Sequence, residues 1–124
     1  MQYILLIYND ESMMKSTGPE REAMFKAYSE FTQSIVSSGH MKAGDALQPT
    51  STATTVRVRD GKTLTTDGPF AETKEQLGGY YLIDARDLDE ATKIAARVPG
   101  ARAGAIEVRP VMELPPDYPR PKRS

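Results

Sequence analysis

The chain has 124 residues, the size of one ordinary domain, and a formal net charge of -1. It contains no cysteine, which excludes disulfides and thiolate metal sites, and its one histidine, His40, excludes the usual poly-histidine zinc sites. The small net charge favours neither nucleic acid nor an anionic membrane as a partner, and no apolar run approaches the roughly 20 residues that span a bilayer. Because the start, MQYILLIYND, lacks the features of a signal peptide, we expect a cytoplasmic protein.

The first predicted elements are a strand and a long amphipathic helix. Gln2–Tyr8 is continuously apolar and too short for a buried helix, which indicates a central strand covered on both faces. After a loop, Thr17 and Glu20 have the spacing of a capping box, and Gly39 is a natural stop, so we predict a helix from about 18 to 38. One face of this helix carries the apolar residues Met24, Tyr28, Phe31 and Ile35.

A hairpin is predicted at residues 55–66, around an Asp-Gly pair. A two-residue turn would place Arg59 opposite Lys62, which are like charges. A three-residue turn would instead place Val56 opposite Leu64. Because the second register pairs apolar residues and separates the charges, we predict the three-residue turn.

The other predicted elements are two strands, a helix and a brief strand. The brief strand is predicted at Met41–Pro49, and the two longer strands are predicted at Gly79–Asp84 and Ala105–Met112. Asp87 caps the second helix, and Glu90 occupies its third position. The buried stripe of this helix is predicted to contain Leu88, Ala91, Ile94, Ala95 and Val98.

This order of elements is typical of an α+β sandwich of the ferredoxin-like type, an antiparallel sheet with two helices on one face. We expect a single domain over residues 1–114 and a Pro-rich basic tail at 115–124. The other sheet face would be open and apolar, and would carry Tyr3 or Ile4 together with one of the two adjacent tyrosines. Such a face is larger than a monomer normally tolerates, so we predict a homodimer that packs sheet to sheet.

Four segments carry a family resemblance. They are MQYILLIYNDE at the start, GDALQP at 44–49, DGPFAETKEQLGGYYLIDARDLDEA at 67–91 and IEVRPVMEL at 106–114. Through them the chain resembles the DGPF proteins, a branch of the YCII-related family, over about residues 1–114. The resemblance implies a ferredoxin-like fold that forms dimers with facing sheets, like the dimeric α/β-barrel enzymes.

The resemblance also implies several possible activities. YCII-type relatives suggest an enzyme with a His-Asp pair, and one relative is a dehydrochlorinase that acts on a chlorinated aromatic. Members of the DGPF branch are often encoded beside extracytoplasmic-function sigma factors, which suggests signalling. In this chain His40 follows a helix instead of lying in the first loop. If it does not correspond to the family's histidine, a His-Asp mechanism has no histidine here.

The central motif supplies the candidate catalytic residues. Asp67 precedes Gly-Pro, so it either ties a turn or places a carboxylate at the mouth of a cleft as a general acid or base. Glu72 and Lys74 share one face of an extended segment. They are either solvated surface charges or a pair that binds a polar substrate.

Four further residues complete the candidate site. Tyr80 is predicted to line the pocket or the dimer contact. Arg109 either forms a salt bridge with Glu107 or binds an anion. Asp10 follows the first strand, where a loop could meet the cleft. His40 either stabilises a helix end or takes part in catalysis.

Two hypotheses of function follow. In the first, the chain is a small lyase or isomerase that uses acid-base chemistry on a small-molecule substrate, without a cofactor or a metal. In the second, it is a non-catalytic module that binds a small molecule or a protein and serves regulation. Nucleic-acid binding would rest only on a few basic residues and the tail, and the net charge argues against it.

Overall fold

A computed structural model describes residues 1–12 and 16–120; the predicted loop residues 13–15 and the tail residues 121–124 lie outside this part. The described residues include two α-helices, α1 (Pro19–Ser37) and α2 (Leu88–Ala96). The strands in the same part are β1 (Gln2–Asn9), β2 (Met41–Ala46), β3 (Thr54–Arg59), β4 (Lys62–Asp67), β5 (Gln76–Asp84) and β6 (Ala105–Pro110). The brief strand predicted after α1 is therefore confirmed as β2.

Four strands form one antiparallel sheet in the order β2, β5, β1, β6. β3 and β4 form a separate hairpin, inserted between β2 and β5. Without this insertion the chain reads β-α-β-β-α-β, and the sheet order is that of a ferredoxin-like fold. The predicted α+β class is confirmed.

The core lies between the two helices and one face of the sheet. Tyr3, Leu5 and Ile7 alternate along β1 with less buried residues, as the two-residue period of a strand requires. They pack with Tyr81 and Ile83 of β5. From the helical side the core receives Phe31, Ile35, Ala91, Ile94, Ala95 and the nearby Val98.

The opposite sheet face carries no helix among the described residues. The strand registers place Ile4 and Leu6 of β1 on this face, together with Tyr80 and Leu82 of β5. The pattern along β1 shows that, within one chain, only the side chains of this strand that point toward the helices are fully buried. The prediction that β1 is covered on both faces is therefore wrong for the single chain. Any cover for the second face would have to come from outside the described part of the chain.

The C-terminal end of α1 agrees with the prediction, but its N-terminal cap does not. The helix begins at Pro19, and Gly18 occupies the capping position at φ 66° with no side-chain hydrogen bond, so the predicted Thr17 capping box is wrong. Glycine reaches this left-handed conformation without steric cost, and Thr17 then lies outside the cap. At the other end Gly39 has φ 81°, and the His40 amide donates to the Ile35 carbonyl at 3.0 Å. This is the glycine stop that was predicted.

α2 is capped as predicted. The Asp87 carboxylate accepts a hydrogen bond from the Glu90 amide at 2.9 Å, and the Glu90 carboxylate accepts from the Arg86 amide at 3.0 Å. The predicted buried stripe is confirmed except at Leu88, which is 54% exposed. Leu88 is the first residue of the helix, so its side chain points away from the turn that packs on the sheet.

The hairpin register differs from the prediction. Arg59 pairs with Lys62 across a two-residue turn, in which Asp60 has φ 52° and Gly61 has φ 75°. These values fit the type I′ turn, whose twist matches that of the strands, and Asp-Gly is a preferred pair for it. The apolar pairing that favoured a three-residue turn has little weight here, because Val56 and Leu64 are both exposed. Turn geometry therefore decided the register.

Two adjacent residues of α1 allow a direct test of the core. Ile35 is completely buried, whereas Val36 is 58% exposed. We expect Ile35→Ala to lower the free energy of unfolding by about 2–5 kcal/mol, because it leaves a cavity in the core. Val36→Ala should change it by no more than about 0.5 kcal/mol. Urea unfolding measures both values, and equal effects would contradict the packing described here.

Candidate functional site

A cavity of about 310 Å³ lies between α1 and the end of the sheet where β1 finishes and β5 starts. It exists because α1 packs closely only along its second half. Ile35 is fully buried there, but Phe25 in the first half is 54% exposed. The helix lines the cavity with Arg21, Met24, Phe25, Tyr28 and Thr32, and the strands and their ends line it with Ile7, Asn9, Met41, Gly44, Asp45, Ala46, Leu47, Gly78, Gly79, Tyr80 and Tyr81.

Because Gly44 has no side chain, the Tyr81 ring can pack directly against it. A Cβ at position 44 would lie 2.9 Å from Tyr81 Cδ1 and 3.1 Å from Met41 Cε. Both side chains line the cavity, so any larger residue at 44 would push them into it. Glycine is required here by the approach of a neighbouring ring and not by a turn.

Tyr28 and Tyr81 bring part-buried hydroxyl groups to the cavity. A hydrogen bond of 2.7 Å joins the hydroxyls of Tyr81 and Thr32, and burial raises the pKa of Tyr81. Burial also raises the pKa of Tyr28, with the Gly100 backbone acting in the opposite direction. Both tyrosines therefore keep their protons at neutral pH and can donate hydrogen bonds to a ligand.

Charged groups at the cavity are few. The Arg21 guanidinium lies over the Phe25 ring, 5.0 Å from its centroid. Of the described residues that line the cavity, Asp45 is the only one with a carboxylate, and it accepts a hydrogen bond from the Tyr80 hydroxyl at 2.7 Å. The strand registers place the side chains of Tyr80 and Asp45 on the sheet face away from α1, so this pair lies behind the strands that line the cavity. The sequence did not single out Asp45.

The catalytic candidates of the central motif lie elsewhere. Asp67 ends β4, and Glu72 and Lys74 follow in the segment before β5; all three are exposed, and none lines the cavity. Within the described part of the chain their side chains form no hydrogen bond or ion pair. A second hollow, of about 350 Å³, is lined by Pro69 and Gln76 of the same motif but not by these three residues.

His40 is held at the start of α2. Its Nδ1 shares a 2.6 Å hydrogen bond with Ser38 Oγ, and its Nε2 lies 3.3 Å from Glu90 Oε1. The hydrogen bond from the Arg86 backbone amide is the main cause that lowers the pKa of Glu90, and the Arg86 guanidinium and the neighbouring His40 add to it. His40 does not line the cavity. It joins the end of α1 to the start of α2.

The two remaining candidates are also outside the cavity lining. Arg109 Nε donates to Glu107 Oε2 at 2.7 Å, on the sheet face away from the helices. Asp10 follows β1, and its carboxylate accepts from the Ser12 amide at 2.9 Å. Among the described residues no three metal-ligating side chains come together.

Comparison with known proteins identifies the family of the chain. The sequence profile of the YCII-related domain matches residues 1–115. The chain belongs to the YCII-related domain family. It is also 42% identical over 114 residues to an uncharacterized protein of Rhizobium meliloti (strain 1021), and the match covers 90% of this chain and 92% of that protein. The resemblance to the DGPF branch, carried by the four motifs, is thereby confirmed.

Sequence reasoning missed much of the cavity of this YCII-related chain. The available signal was a second stripe on α1, beside the one that forms the core. Its members, at helical spacing, are Arg21, Phe25, Tyr28 and Thr32, and they mix charge, aromatic rings and hydroxyls. No local sequence pattern indicated Asn9 or Gly44, because each contributes to the cavity only through contacts with residues that are distant in the sequence.

Proposed function

We propose that this YCII-related protein binds a small, largely apolar molecule in the cavity between α1 and the sheet. The observation that carries the proposal is the cavity itself. Its volume of about 310 Å³ is at the lower end of the range for small-molecule sites. Its walls are mostly apolar, and the few polar groups converge on it, which is the usual composition of such a site.

Binding is favoured over catalysis by the chemistry of the lining. Proton abstraction needs a basic group within hydrogen-bond reach of the substrate. The two buried tyrosines are protonated and act as donors at neutral pH. A binding role would also suit a regulatory module, including the link to sigma-factor signalling that the family resemblance implies.

A cofactor-independent lyase or isomerase is the second candidate. The observation that favours it is the pair of Asp45 and Tyr80, a carboxylate and a phenol 2.7 Å apart on the open face of the sheet. Such a pair can accept and return a proton. The proposal that Asp67, Glu72 and Lys74 act together is separate from this one, and it requires a further element to bring these exposed groups to a substrate.

We also propose that the protein works as a homodimer in the cytoplasm. Support comes from the sheet face away from the helices, where the side chains of Ile4, Leu6 and Leu82 lie together. Leu82 is only 6% exposed, yet it is not part of the core cluster. A second copy of this face would cover the partly exposed Ile4 and Leu6, beside the Leu82 side chain that is already buried.

The binding proposal predicts a saturable site for a neutral aromatic probe. Titration of 2-phenylethanol should shift backbone amide NMR signals around the cavity. Gly44→Val should abolish these shifts, because its side chain would push Tyr81 and Met41 into the cavity. Ala43→Val is the matched control: Ala43 is the adjacent residue of β2 and pairs with Leu82, on the other face. Shifts scattered over the surface, or unchanged in Gly44→Val, would contradict the proposal.

The catalytic candidate predicts proton exchange. If Asp45 or Asp67 is the base, Asp45→Asn or Asp67→Asn should lower the deuterium uptake of a turned-over compound in D2O by roughly 100-fold or more. The midpoint of urea unfolding should stay unchanged in the same variant. Parallel loss of stability and turnover would instead indicate a structural role for that carboxylate.

The dimer proposal predicts a mass of two chains in light scattering. Leu6→Lys should give a monomer, because it places a charge at the centre of the open sheet face. Val36→Lys, on the exposed side of α1, is the control and should remain a dimer. A monomeric unsubstituted protein would refute the proposal.

A further inference from the structure

The cavity under α1 is a wedge that opens toward the start of the helix. At Ile35 the helix is packed on the sheet, and this side chain is completely buried. Phe31 is also buried, Tyr28 is partly buried, and Phe25 is 54% exposed. The Arg21 side chain is exposed, yet it still lines the cavity. One end of the wedge is therefore closed by the core, and the other end is open to solvent.

The hydroxyl groups toward the closed end already have partners within the described chain. Those of Thr32 and Tyr81 share a hydrogen bond of 2.7 Å, and the backbone of Gly100 hydrogen-bonds to Tyr28. Apolar ligand atoms placed beside these hydroxyls therefore leave none of them without a partner. This end of the wedge is suited to a hydrocarbon tail.

The α1 side of the cavity is long in relation to the cavity volume. The lining residues of the helix run from Arg21 to Thr32, which is about 16 Å along the helix axis at the usual rise per residue. A volume of about 310 Å³ beneath a stripe of this length is narrow. It suits an extended chain that lies along the helix better than a bulky, compact molecule.

The open end carries a positive charge without an ionic partner. Arg21 and Asp45 are the charged residues among the described ones that line the cavity, but the Asp45 side chain lies on the other face of the sheet. The Arg21 guanidinium lies 5.0 Å from the centroid of the Phe25 ring, which also lines the cavity. It forms no ion pair with the other described residues, and the adjacent Glu20 and Glu22 lie outside the lining. An anionic group at this end would be attracted.

We propose that the cavity takes a linear amphiphile with an anionic head group, such as a medium-chain carboxylate, and that Arg21 selects the charge of the head. The inference rests on the proposed binding function and adds the class of ligand to it. The hydrocarbon tail lies in the wedge, with its end toward Thr32 and Tyr81. The head stays at the open end, in water, beside the Arg21 guanidinium.

Three compounds separate the head from the tail: octanoate, 1-octanol and acetate. Each is titrated into the whole protein at physiological ionic strength and followed by amide NMR. Octanoate and 1-octanol share the tail, so both should shift signals around the cavity. Acetate carries the head without the tail and should shift none of them, because one exposed ion pair contributes little by itself.

Substitutions at Arg21 identify the residue that selects the head. Arg21→Gln should weaken octanoate binding roughly threefold and Arg21→Glu roughly tenfold, because the first removes an exposed ion pair and the second replaces it with repulsion. Both should change 1-octanol binding by less than about twofold, since the alcohol is neutral. The effect of Arg21→Gln should shrink at high salt, which screens exposed charges.

Lys26 provides the matched control. It is an exposed cation on the same helix, outside the cavity lining. Lys26→Gln and Lys26→Glu make the same changes of net charge as the Arg21 variants, and both should leave the octanoate affinity within about twofold of the unsubstituted protein. Equal effects at the two positions would show that net charge, and not Arg21, attracts the anion, and would refute the proposal.

Failure of this inference differs from failure of the function on which it rests. If 1-octanol shifts signals around the cavity but octanoate does not, or if octanoate binds equally well in both Arg21 variants, the anionic class is refuted and the binding function stands. If acetate shifts the same signals as octanoate, the tail has no role and the amphiphile is refuted. If octanoate, 1-octanol and 2-phenylethanol all leave these signals unshifted, both the ligand class and the function are refuted. Retained binding of 1-octanol shows that each Arg21 variant is folded.

Discussion

The position of the Tyr81 ring determines how α1 sits on the sheet. The ring packs edge-on against Phe31, with the two centroids 5.2 Å apart, and its hydroxyl bonds to Thr32 one residue further along the helix. The ring can lie there only because position 44, opposite it on β2, is glycine. One aromatic side chain thus contacts the helix, the neighbouring strand and the cavity. Among the described residues, no part of α1 before Tyr28 packs into the core in this way, and the gap that remains is the cavity.

The same alternation of side chains explains why the sheet has two different faces. Residues at odd positions of β1 enter the core, and those at even positions point away from the helices. β5 adds Leu82 and the ring of Tyr80 to Ile4 and Leu6 on this second face, so the face is partly apolar. A ferredoxin-like sheet with apolar residues on both faces needs cover on both, and the described part of the chain supplies only one. The two proposals, a ligand in the cavity and a second copy on the sheet, concern opposite faces and do not compete for one surface.

The sequence predicted the features that depend on local pattern. The apolar runs of β1 and β5, the stripe on α1, the Asp87 cap and the Gly39 stop all follow from spacing within a few residues, and the structure contains them. Two features were not predicted correctly from the sequence, each for a physical reason. The hairpin register was assigned by apolar pairing, which matters only where a face is buried, and this hairpin is exposed. The strand side of the cavity could not be predicted, because Asn9 and Gly44 acquire their role from neighbours far along the chain.

The most recognisable motif of the chain therefore needs two separate explanations. Gly68 has φ 110°, which favours glycine, and its amide donates to the Ala53 carbonyl at 2.8 Å. Its own carbonyl accepts from the Thr55 hydroxyl at 2.9 Å, so this glycine fastens the base of the hairpin. That geometry accounts for the Gly of the motif but not for its charged residues, which have no contacts within the described chain that would fix their identity. Backbone conformation explains the turn, and any chemical role of Asp67, Glu72 and Lys74 has to come from a partner molecule that meets them at the surface.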